Sequence, residues 1–212
     1  MKTNIAKIIG QIEKLNENLK AEYNRLAKKY GFTVHQGKVV FLAKFKKRNR
    51  QFKVPVWQDV LSQSIRHLFS LPFIYMMIIP AVILDIFISV YHFVAFPLYG
   101  IPKVKRKDFI VYDRRFLDYL NVMQKVHCLY CSYVNGLFAY SMEIAARTER
   151  YWCPIKAASK PRVNHGWYNE FADYGNPEEW REKVNDQNAF EKLTKSEKNR
   201  VKNKGICKDR QI

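Results

Sequence analysis

Three cysteines near the middle of the chain are the side chains best suited to chemistry. Cys128 and Cys131 are spaced i and i+3, so on a helix their thiols share one face and could bind one metal ion. A zinc or iron site needs more than two ligands, and Cys153 is the obvious third. Candidate fourth ligands, none of them at a standard zinc spacing, are His127, Glu143 and Cys207.

Such a site depends on the path of the chain between the cysteines. A straight helix would place Cys153 about 33 Å from Cys131, too far for one metal ion. We therefore predict a bend at Asn135 and Gly136, because glycine costs about 1 kcal/mol inside a helix and asparagine favours turns. A partner chain is the other way to complete the site. The structural alternative is that small buried cysteines pack a helix seam.

Charged side chains on the same predicted helical region offer a second kind of chemistry. Glu143 and Arg147 are spaced i and i+4, and a solvated ion pair is the simplest interpretation. The sharper hypothesis is that Arg147 holds a phosphate or carboxylate near a membrane face while Glu143 orients it. Together with His127, these residues are the acid, base and anion-holding candidates for an enzyme that acts on lipid headgroups.

The longest apolar stretch, Leu68 to Ile101, must position whatever chemistry these residues perform. It has 26 apolar residues among 34 and contains no lysine or arginine. Such a run belongs in or on a membrane, because about 18 consecutive apolar residues already indicate a spanning helix. Asp85, Ser89 and His92 are spaced i, i+4 and i+7, which predicts one polar face within this segment. Ionisable residues at membrane depth are candidate functional groups.

This apolar segment is too long for one straight span. As a single helix it would measure roughly 50 Å, against a hydrocarbon thickness of about 30 Å. Pro72, Pro80 and Pro97 interrupt it, and Pro80 is the expected break because proline removes a helical hydrogen bond. Two arrangements remain open: a kinked, tilted span, and a re-entrant or in-plane hairpin bent at Pro80.

Both flanks of the apolar segment are basic. Residues 1–67 have 15 Lys and Arg against 4 Asp and Glu, and residues 102–212 have 22 against 14. Since basic residues near a membrane segment mark the cytoplasmic side, this balance favours the hairpin with both termini cytoplasmic. Lys103 to Lys107 is expected to be a solvated basic strip beneath anionic lipid headgroups. We do not expect nucleic acid as a partner, because the basic residues crowd the membrane flanks.

The predicted fold class is mainly α, with a membrane-embedded helical segment, a cytoplasmic helical region and a small N-terminal β-hairpin. The predicted regions are an amphipathic, coiled-coil-like helix in 1–31, a basic hairpin and interfacial helix in 32–67, the membrane segment in 68–102, the cysteine-bearing helical region in 103–158, and a polar docking segment with a basic tail in 159–212.

We expect no secretory signal peptide, because the start lacks an apolar core and a cleavage site. Four cysteines are too few for a disulfide framework, so reduced thiols are expected.

The N-terminal region, Asn4 to Tyr30, has apolar residues at the a and d positions of a heptad, interrupted at Glu22. The heptad residues are Ile5, Ile8, Ile12, Leu15, Leu19 and Leu26. A coiled-coil homodimer and a stripe packed against the rest of this chain would both satisfy the pattern. Gly31 is expected to end the helix.

The remaining elements follow from local patterns. β-branched and aromatic residues around Gln36 and Gly37 predict a hairpin of Phe32–Val34 and Lys38–Phe45. The other predicted helices are Val56–Leu68, whose Trp57 suits a membrane interface; one beginning at Arg114 with Asp113 as its N-cap; Leu137–Trp152; and Pro177–Asn188. Aromatic residues after Ser159 are expected to dock on the protein, and a mobile basic tail is expected from Lys192.

Three stretches resemble a family of uncharacterised bacterial membrane proteins: FPLYGIPKVKRKDFI, CLYCSYVNG and EIAARTERYWCPIK. The resemblance runs from about Leu84 to Lys156, about a third of the chain. It implies a protein of the bacterial inner membrane without implying an activity. The residues that it singles out, without roles, are Cys128, Tyr130, Cys131, Asn135, Gly136, Glu143, Arg147, Glu149, Trp152 and Cys153. In the family pattern a histidine follows the CPIK element; this chain has Ala157, which removes a natural metal ligand.

Three functions therefore remain open from the sequence. The first is an adaptor or accessory subunit of the inner membrane, with the bulk of the chain cytoplasmic. The second is a membrane-bound metal- or thiol-dependent protein that uses the three cysteines. The third is a membrane enzyme acting on lipid headgroups. The expected partners are a membrane with anionic lipid and either a second copy of this chain or another membrane protein.

Overall fold

The computed structural model describes residues 2–35, 38–62, 64–159, 161–191 and 193. Within them the chain is mainly helical, with one long apolar helical segment and a two-stranded antiparallel sheet, which confirms these parts of the predicted fold class. The side chains of residues 2–10, 12, 13, 16, 34, 35, 38 and 187 lie outside this description.

Two compact units make up the structure. The first comprises Met1–Phe69 and Tyr112–Leu129, and the second comprises Ser70–Val111 and Tyr130–Ile212. Each unit therefore combines two separate stretches of the chain.

The first unit starts with one long helix and continues with short elements. Its elements before the apolar segment are α1 (Lys2–Tyr30), β1 (Phe32–His35), β2 (Lys38–Phe41), α2 (Ala43–Arg50) and α3 (Val56–Leu61). The two strands are antiparallel, with Phe32 opposite Phe41, so the predicted hairpin is confirmed. Its predicted turn, Gln36 and Gly37, lies outside the described residues.

The second strand ends earlier than predicted. Extending it to Phe45 was wrong, because the Leu42 carbonyl accepts hydrogen bonds from the backbone N–H groups of Phe45 (3.0 Å) and Lys46 (3.1 Å) and so starts α2. Helix α2 is rich in lysine and arginine, which favour helix over strand. Gly31 ends α1 as predicted, with a φ of +65°, and a Cβ there would lie 2.0 Å from the Phe45 ring.

The apolar stripe of α1 is not covered by the described part of this chain. Leu15 is 66% exposed, Leu19 is 56% exposed, and Leu26 is exposed as well. The interpretation that this stripe packs on the same chain is therefore wrong for these leucines. The side chains of Ile5, Ile8 and Ile12 are among those outside the description.

Helix α3 is shorter than the predicted helix Val56–Leu68. It ends at Leu61, and Ser62 follows as its C-cap, with the Ser62 hydroxyl donating to the Asp59 carbonyl at 3.0 Å. Serine competes for backbone hydrogen bonds in this way, so it favours a helix end over a helix interior. Trp57 is exposed on α3.

The apolar segment forms α4 (Ile65–Met76) and α5 (Ile78–Tyr99), which are separated only by Met77. Pro80 explains the interruption, because its ring lacks the N–H that would bind the carbonyl four residues earlier and clashes with that carbonyl. Met77 keeps right-handed helical dihedral angles (φ −63°, ψ −11°), so the chain is interrupted there without reversing. The predicted re-entrant hairpin bent at Pro80 is therefore wrong.

Across that interruption, Ile65–Tyr99 is the one helical stretch in the described residues that is long and apolar enough to cross a membrane. It has 35 residues, and only 6% of its most apolar part is buried inside the protein. This exposure is opposite to that of a core helix in a water-soluble domain, which buries its apolar face.

Helix α6 (Val122–Trp152) begins later than predicted. The start at Arg114 was wrong, because Asp113–Phe116 forms only a 3-10 turn without a side-chain cap. Asn121 and Gln124 cap α6 reciprocally: the Gln124 N–H donates to Asn121 Oδ1 at 2.9 Å, and the Asn121 N–H donates to Gln124 Oε1 at 3.1 Å. Asn121 is buried and also donates to the Asp59 carboxylate at 2.9 Å.

Helix α6 continues without interruption through Asn135 and Gly136, so the predicted bend and the separate helix from Leu137 are wrong. Gly136 instead serves packing. A Cβ at this position would lie 2.8 Å from the Phe109 carbonyl oxygen and 2.9 Å from Ile110 Cα. Glycine allows the backbone of residues 109–110 to approach the helix this closely.

The core of the second unit joins α5, α6 and the C-terminal segment. Its most buried large side chains are Phe96, Leu137, Ile144, Phe171 and Phe190. Trp167 is buried beside them, so the predicted docking is confirmed for Trp167 and Phe171. It is wrong for Tyr174 and Trp180, whose side chains are exposed.

The last helix, α7 (Pro177–Lys183), is shorter than the predicted Pro177–Asn188. Arg150 donates to the Lys183 carbonyl at 2.7 Å, and Asn185 has a φ of +58°, a combination that satisfies the helix end and turns the chain. The predicted tail from Lys192 lies outside the described residues except for residue 193.

We expect the substitution Gly136→Ala to lower the stability of the second unit by about 1–3 kcal/mol, because the new methyl group would overpack against the backbone of residues 109–110. An isolated helix would instead gain about 1 kcal/mol from the same change. Thermal unfolding of the purified protein in detergent, followed by circular dichroism, measures the sign. Gly166→Ala is the matched control, because no atom lies within 4 Å of a Cβ there.

We also expect Asn121→Ala to destabilise the first unit by about 1–2 kcal/mol, since it removes the helix cap and one of the two side-chain amides, Asn121 and Gln124, that donate to the Asp59 carboxylate. Asn135→Ala on the exposed part of the same helix is the control and should change stability by less than about 0.5 kcal/mol. Equal unfolding midpoints for the two variants would contradict the capping role.

Candidate functional site

Asp85, on the polar side of α5, is surrounded by hydrogen-bond donors of the second unit. Both Nη atoms of Arg106 donate to its carboxylate, and the Arg106 Nη2 contact measures 2.6 Å. Tyr133 donates at 2.8 Å and Ser89 at 3.2 Å. Hydrogen bonds to an ionised group are stronger than neutral ones. Two guanidinium donors and two hydroxyl donors therefore satisfy this carboxylate within the protein.

Arg106 was predicted to belong to a solvated basic strip, Lys103–Lys107, and that prediction was wrong for two of its residues. Arg106 pairs with Asp85, and Val104 is buried against α5. The neighbouring Lys103, Lys105 and Lys107 are exposed.

His92 is buried about two turns further along α5, where both of its ring nitrogens have partners. The backbone N–H of Val104 donates to Nε2 at 2.9 Å, and the Tyr140 hydroxyl lies 3.1 Å from Nδ1. Because Nε2 accepts from a backbone N–H, the neutral ring carries its proton on Nδ1 and donates to Tyr140. Asp85, Ser89, His92, Arg106, Tyr133 and Tyr140 together form what we call the polar seam.

The polar seam shows that α5 and α6 run parallel. Asp85 bonds Tyr133 and His92 bonds Tyr140, and both pairs are separated by 48 residues. Sequence reasoning missed the two tyrosines, although their i, i+7 spacing on α6 equals that of Asp85 and His92 on α5. Matched spacing of polar residues on two apolar helices was the available signal.

Both seam tyrosines stay protonated at neutral pH. Burial raises the pKa of Tyr133, and the hydrogen bond to the Asp85 carboxylate raises it further. Burial also raises the pKa of Tyr140. Protonated phenols can donate to the acceptors beside them, which suits a positioning role.

Glu143 and Arg147 form the predicted i, i+4 pair, but the pair is mostly buried and not solvated. Arg147 is 7% exposed; its Nε donates to Glu143 at 2.8 Å and its Nη1 donates to the Pro102 carbonyl at 2.7 Å. The Trp167 indole N–H also donates to Glu143 at 3.2 Å. These contacts attach α6 to the chain after α5 and to the C-terminal segment.

Arg150 is a second buried arginine, and the sequence analysis gave it no separate role. Besides the Lys183 carbonyl, its guanidinium approaches Asp186 at 3.3 Å and Glu170 at 3.9 Å. The residue before it, Glu149, lies 3.1 Å from His165 on the exposed side. The charged run of α6 therefore holds the C-terminal segment in place.

The cysteines are not brought together. With no bend in α6, helical rise separates Cys131 from Cys153 by about 33 Å. No three metal-ligating side chains cluster among the described residues; Cys207 lies outside them. Cys131 and Cys153 are exposed and Cys128 is half-buried, so the alternative of buried cysteines in a helix seam is wrong for the two exposed thiols.

His127 belongs to the first unit, whereas Glu143 and Arg147 belong to the second. Its side chain is half-buried on α6. The three candidates for an enzyme acting on lipid headgroups are therefore divided between the two units.

The first unit contains a separate half-open cavity of about 600 Å³. Its lining residues are Tyr30, Phe32, Phe41, Arg48, Asn49, Phe52, Leu117 and Tyr119. Among the described residues that line it, Arg48 is the charged one, and its guanidinium also lies 4.8 Å from the centre of the Phe45 ring.

No protein-family model, curated protein or solved structure matches this chain. The resemblance to the bacterial membrane-protein family stays a prediction. What the polar seam does chemically follows from its contacts alone: its charged groups satisfy one another, and they hold α5, the chain after it and α6 in one arrangement.

We expect Arg147→Met to destabilise the second unit by about 3 kcal/mol, because it leaves the partly buried Glu143 carboxylate without its cation. The double variant Glu143→Gln, Arg147→Met should recover part of this loss, since no unpaired charge remains. Thermal or denaturant unfolding measures both. Arg181→Met, at an exposed position of α7, is the control, and an equal loss in that variant would show that the effect is not specific to the buried pair.

Proposed function

We propose that the protein is a membrane-bound adaptor or accessory subunit, held in the bacterial inner membrane by α4 and α5 with the bulk of its chain on the cytoplasmic side. The observation that carries this proposal is the distribution of side chains around α5. Phe87 is 72% exposed and Leu98 is 75% exposed, whereas Asp85, Ser89 and His92 on the opposite side contact the protein.

The exposed apolar face is too extensive for an ordinary water-facing surface. Its α5 members are Ile79, Val82, Ile83, Ile86, Phe87, Val90, Phe93, Val94 and Leu98. Monomeric soluble proteins rarely expose a contiguous apolar patch larger than a few hundred Å², so a face of this length indicates lipid or a partner. Each such residue favours the bilayer by about 0.3–0.6 kcal/mol at the centre of a helix.

Basic residues on both flanks support the choice of lipid and of the cytoplasmic side. Lys103, Lys105 and Lys107 are exposed next to α5, and the ammonium of Lys103 lies 4.4 Å from the centre of the Phe93 ring. Lysines at such a boundary attract anionic headgroups with about 1 kcal/mol each. Positive residues concentrate on the cytoplasmic side of bacterial membranes.

The exposed stripe of α1 supports the adaptor role. Leu15, Leu19 and Leu26 have no cover within the described chain, and they occupy heptad positions. The simplest partner for such a stripe is the same stripe of a second copy. In this proposal α1 joins two chains while α4 and α5 hold each chain on the membrane.

We expect the protein to remain with membranes after an alkaline carbonate wash, and the double variant Phe87→Asp, Val90→Asp to move to the supernatant. Two carboxylates on the exposed face should raise the free energy of insertion by about 6 kcal/mol. Immunoblotting of the two fractions measures the ratio.

The matched control adds the same charges away from α5, as Val163→Asp, Tyr174→Asp, at two exposed positions of the second unit. This variant should stay in the pellet. Recovery of the unsubstituted protein in the supernatant would contradict membrane attachment.

We expect the purified protein in detergent to have twice its chain mass of 25.2 kDa by light scattering, and Leu15→Asp, Leu19→Asp to reduce it to a single chain. The control Ala21→Asp, Asn24→Asp places the same charges off the leucine stripe and should remain dimeric. A single-chain mass for the unsubstituted protein would rule out self-association through α1.

A further inference from the structure

We propose that α4 and α5 lie in the plane of the membrane, with their apolar face in one leaflet, and do not cross the bilayer. This inference rests on the proposed membrane attachment and specifies its geometry. The ligand is a lipid surface that contains anionic headgroups. The hairpin predicted from the sequence is not needed for this arrangement.

The first support is the length of the exposed apolar face. Within the second unit, Ser70–Tyr99 spans about 45 Å of helix, whereas the hydrocarbon core is about 30 Å thick. Exposed apolar side chains continue from Phe73 near one end to Leu98 at the other. A span would leave part of this face in water, but a helix in the plane of the leaflet covers all of it.

The second support is the chain that follows α5. It leaves the helix after Tyr99 and returns along it, because the Val104 backbone reaches His92 and the Arg106 guanidinium reaches Asp85. By helical rise, Asp85 lies about 21 Å back from Tyr99. The irregular backbone of residues 104–106 therefore lies beside the middle of α5.

Exposed charges on this returning chain distinguish a spanning α5 from an α5 in the plane of the membrane. Lys105, Lys107 and Asp108 are exposed on the residues that flank Arg106. If α5 crossed the bilayer, these charges and their irregular backbone would stand beside the hydrocarbon centre, where neither is tolerated in contact with lipid. With α5 in the plane of the leaflet, they stand on the water side of the helix.

The parallel packing of α6 gives the same result independently. Tyr130 donates to the Ile74 carbonyl, and Tyr151 stacks on Tyr99, so within the second unit residues 130–151 of α6 run beside residues 74–99 in the same direction. If both helices crossed a bilayer in the same direction, the chain between them would have to cross it as well. That connecting chain has little regular secondary structure and carries several charges. Irregular backbone in contact with lipid does not occur in the hydrocarbon core.

An in-plane arrangement separates the two sides of α5 according to their chemistry. Ile83, Phe87, Val90 and Val94 form the apolar centre line, spaced by four, three and four residues. The polar seam lies on the opposite side, and Lys103 stands at the edge of the apolar face beside Phe93. Amphipathic helices with this division lie at the boundary between headgroups and acyl chains.

The experiment is a depth profile along the apolar face of the full chain. Single cysteines replace Phe73, Ile83, Phe87, Val90, Val94 and Leu98 in a chain whose four native cysteines are serine, and each carries a nitroxide spin label. The protein is bound to vesicles of neutral and anionic phospholipid, and the accessibility of each label to oxygen and to a water-soluble nickel chelate gives its depth. A label at Val163 is the aqueous control.

We expect the four centre-line labels, at Ile83, Phe87, Val90 and Val94, to report one shallow depth within a single leaflet, with no trend along the helix. A profile that deepens to the bilayer centre and becomes shallow again would overturn the in-plane arrangement and leave membrane attachment intact. Labels that are all as accessible to nickel as Val163 would overturn membrane attachment, and the in-plane arrangement with it.

A second readout uses the chain on either side of the segment. In the same chain whose four native cysteines are serine, Leu61→Cys precedes α4 and Val163→Cys follows α6, and both positions are exposed. In sealed inside-out membrane vesicles, a membrane-impermeant maleimide should modify both equally. Protection of one of the two until detergent is added would show that the segment crosses the membrane.

Discussion

The Asp85 carboxylate is the constraint on which the second unit depends. A charge on an otherwise apolar helix is costly unless hydrogen bonds and an opposite charge satisfy it, and here Arg106 supplies two donors while Tyr133 and Ser89 supply one each. Because Arg106 lies only a few residues after α5, the chain must return along the helix to reach Asp85. Tyr133 in turn fixes the position of α6 beside α5.

The other close contacts of the second unit follow from that arrangement. The returning chain passes near enough to α6 that only glycine fits at Gly136, and its Pro102 carbonyl is near enough to receive Arg147. Burial of that arginine requires Glu143, which also accepts from Trp167 of the C-terminal segment. The residues that suggested catalysis in the sequence thus hold the unit together, and the apolar face of α5 stays exposed.

The surface of the second unit has an exposed apolar face with a basic residue at its border. The polar groups of the seam are satisfied inside the unit, while Lys103 lies at the border of the apolar face beside Phe93. A partner protein could also cover an apolar face, but the two basic flanks match an anionic lipid surface better than they match a neutral one. Exposed leucines on α1 provide a second uncovered apolar surface, at a distance in sequence from α4 and α5.

The sequence by itself determined the features that depend on near neighbours along the chain: the apolar segment, the polar face of Asp85, Ser89 and His92, the β-hairpin, and the end of α1 at Gly31. These follow from side-chain periodicity, which needs no knowledge of distant residues. Only the tertiary structure decided that Gly136 permits a close approach in place of a bend, that Glu143 and Arg147 are buried, and that Cys131 and Cys153 stay apart. Each of those outcomes depends on which distant segment packs beside the residue, and local propensity carries no information about that partner.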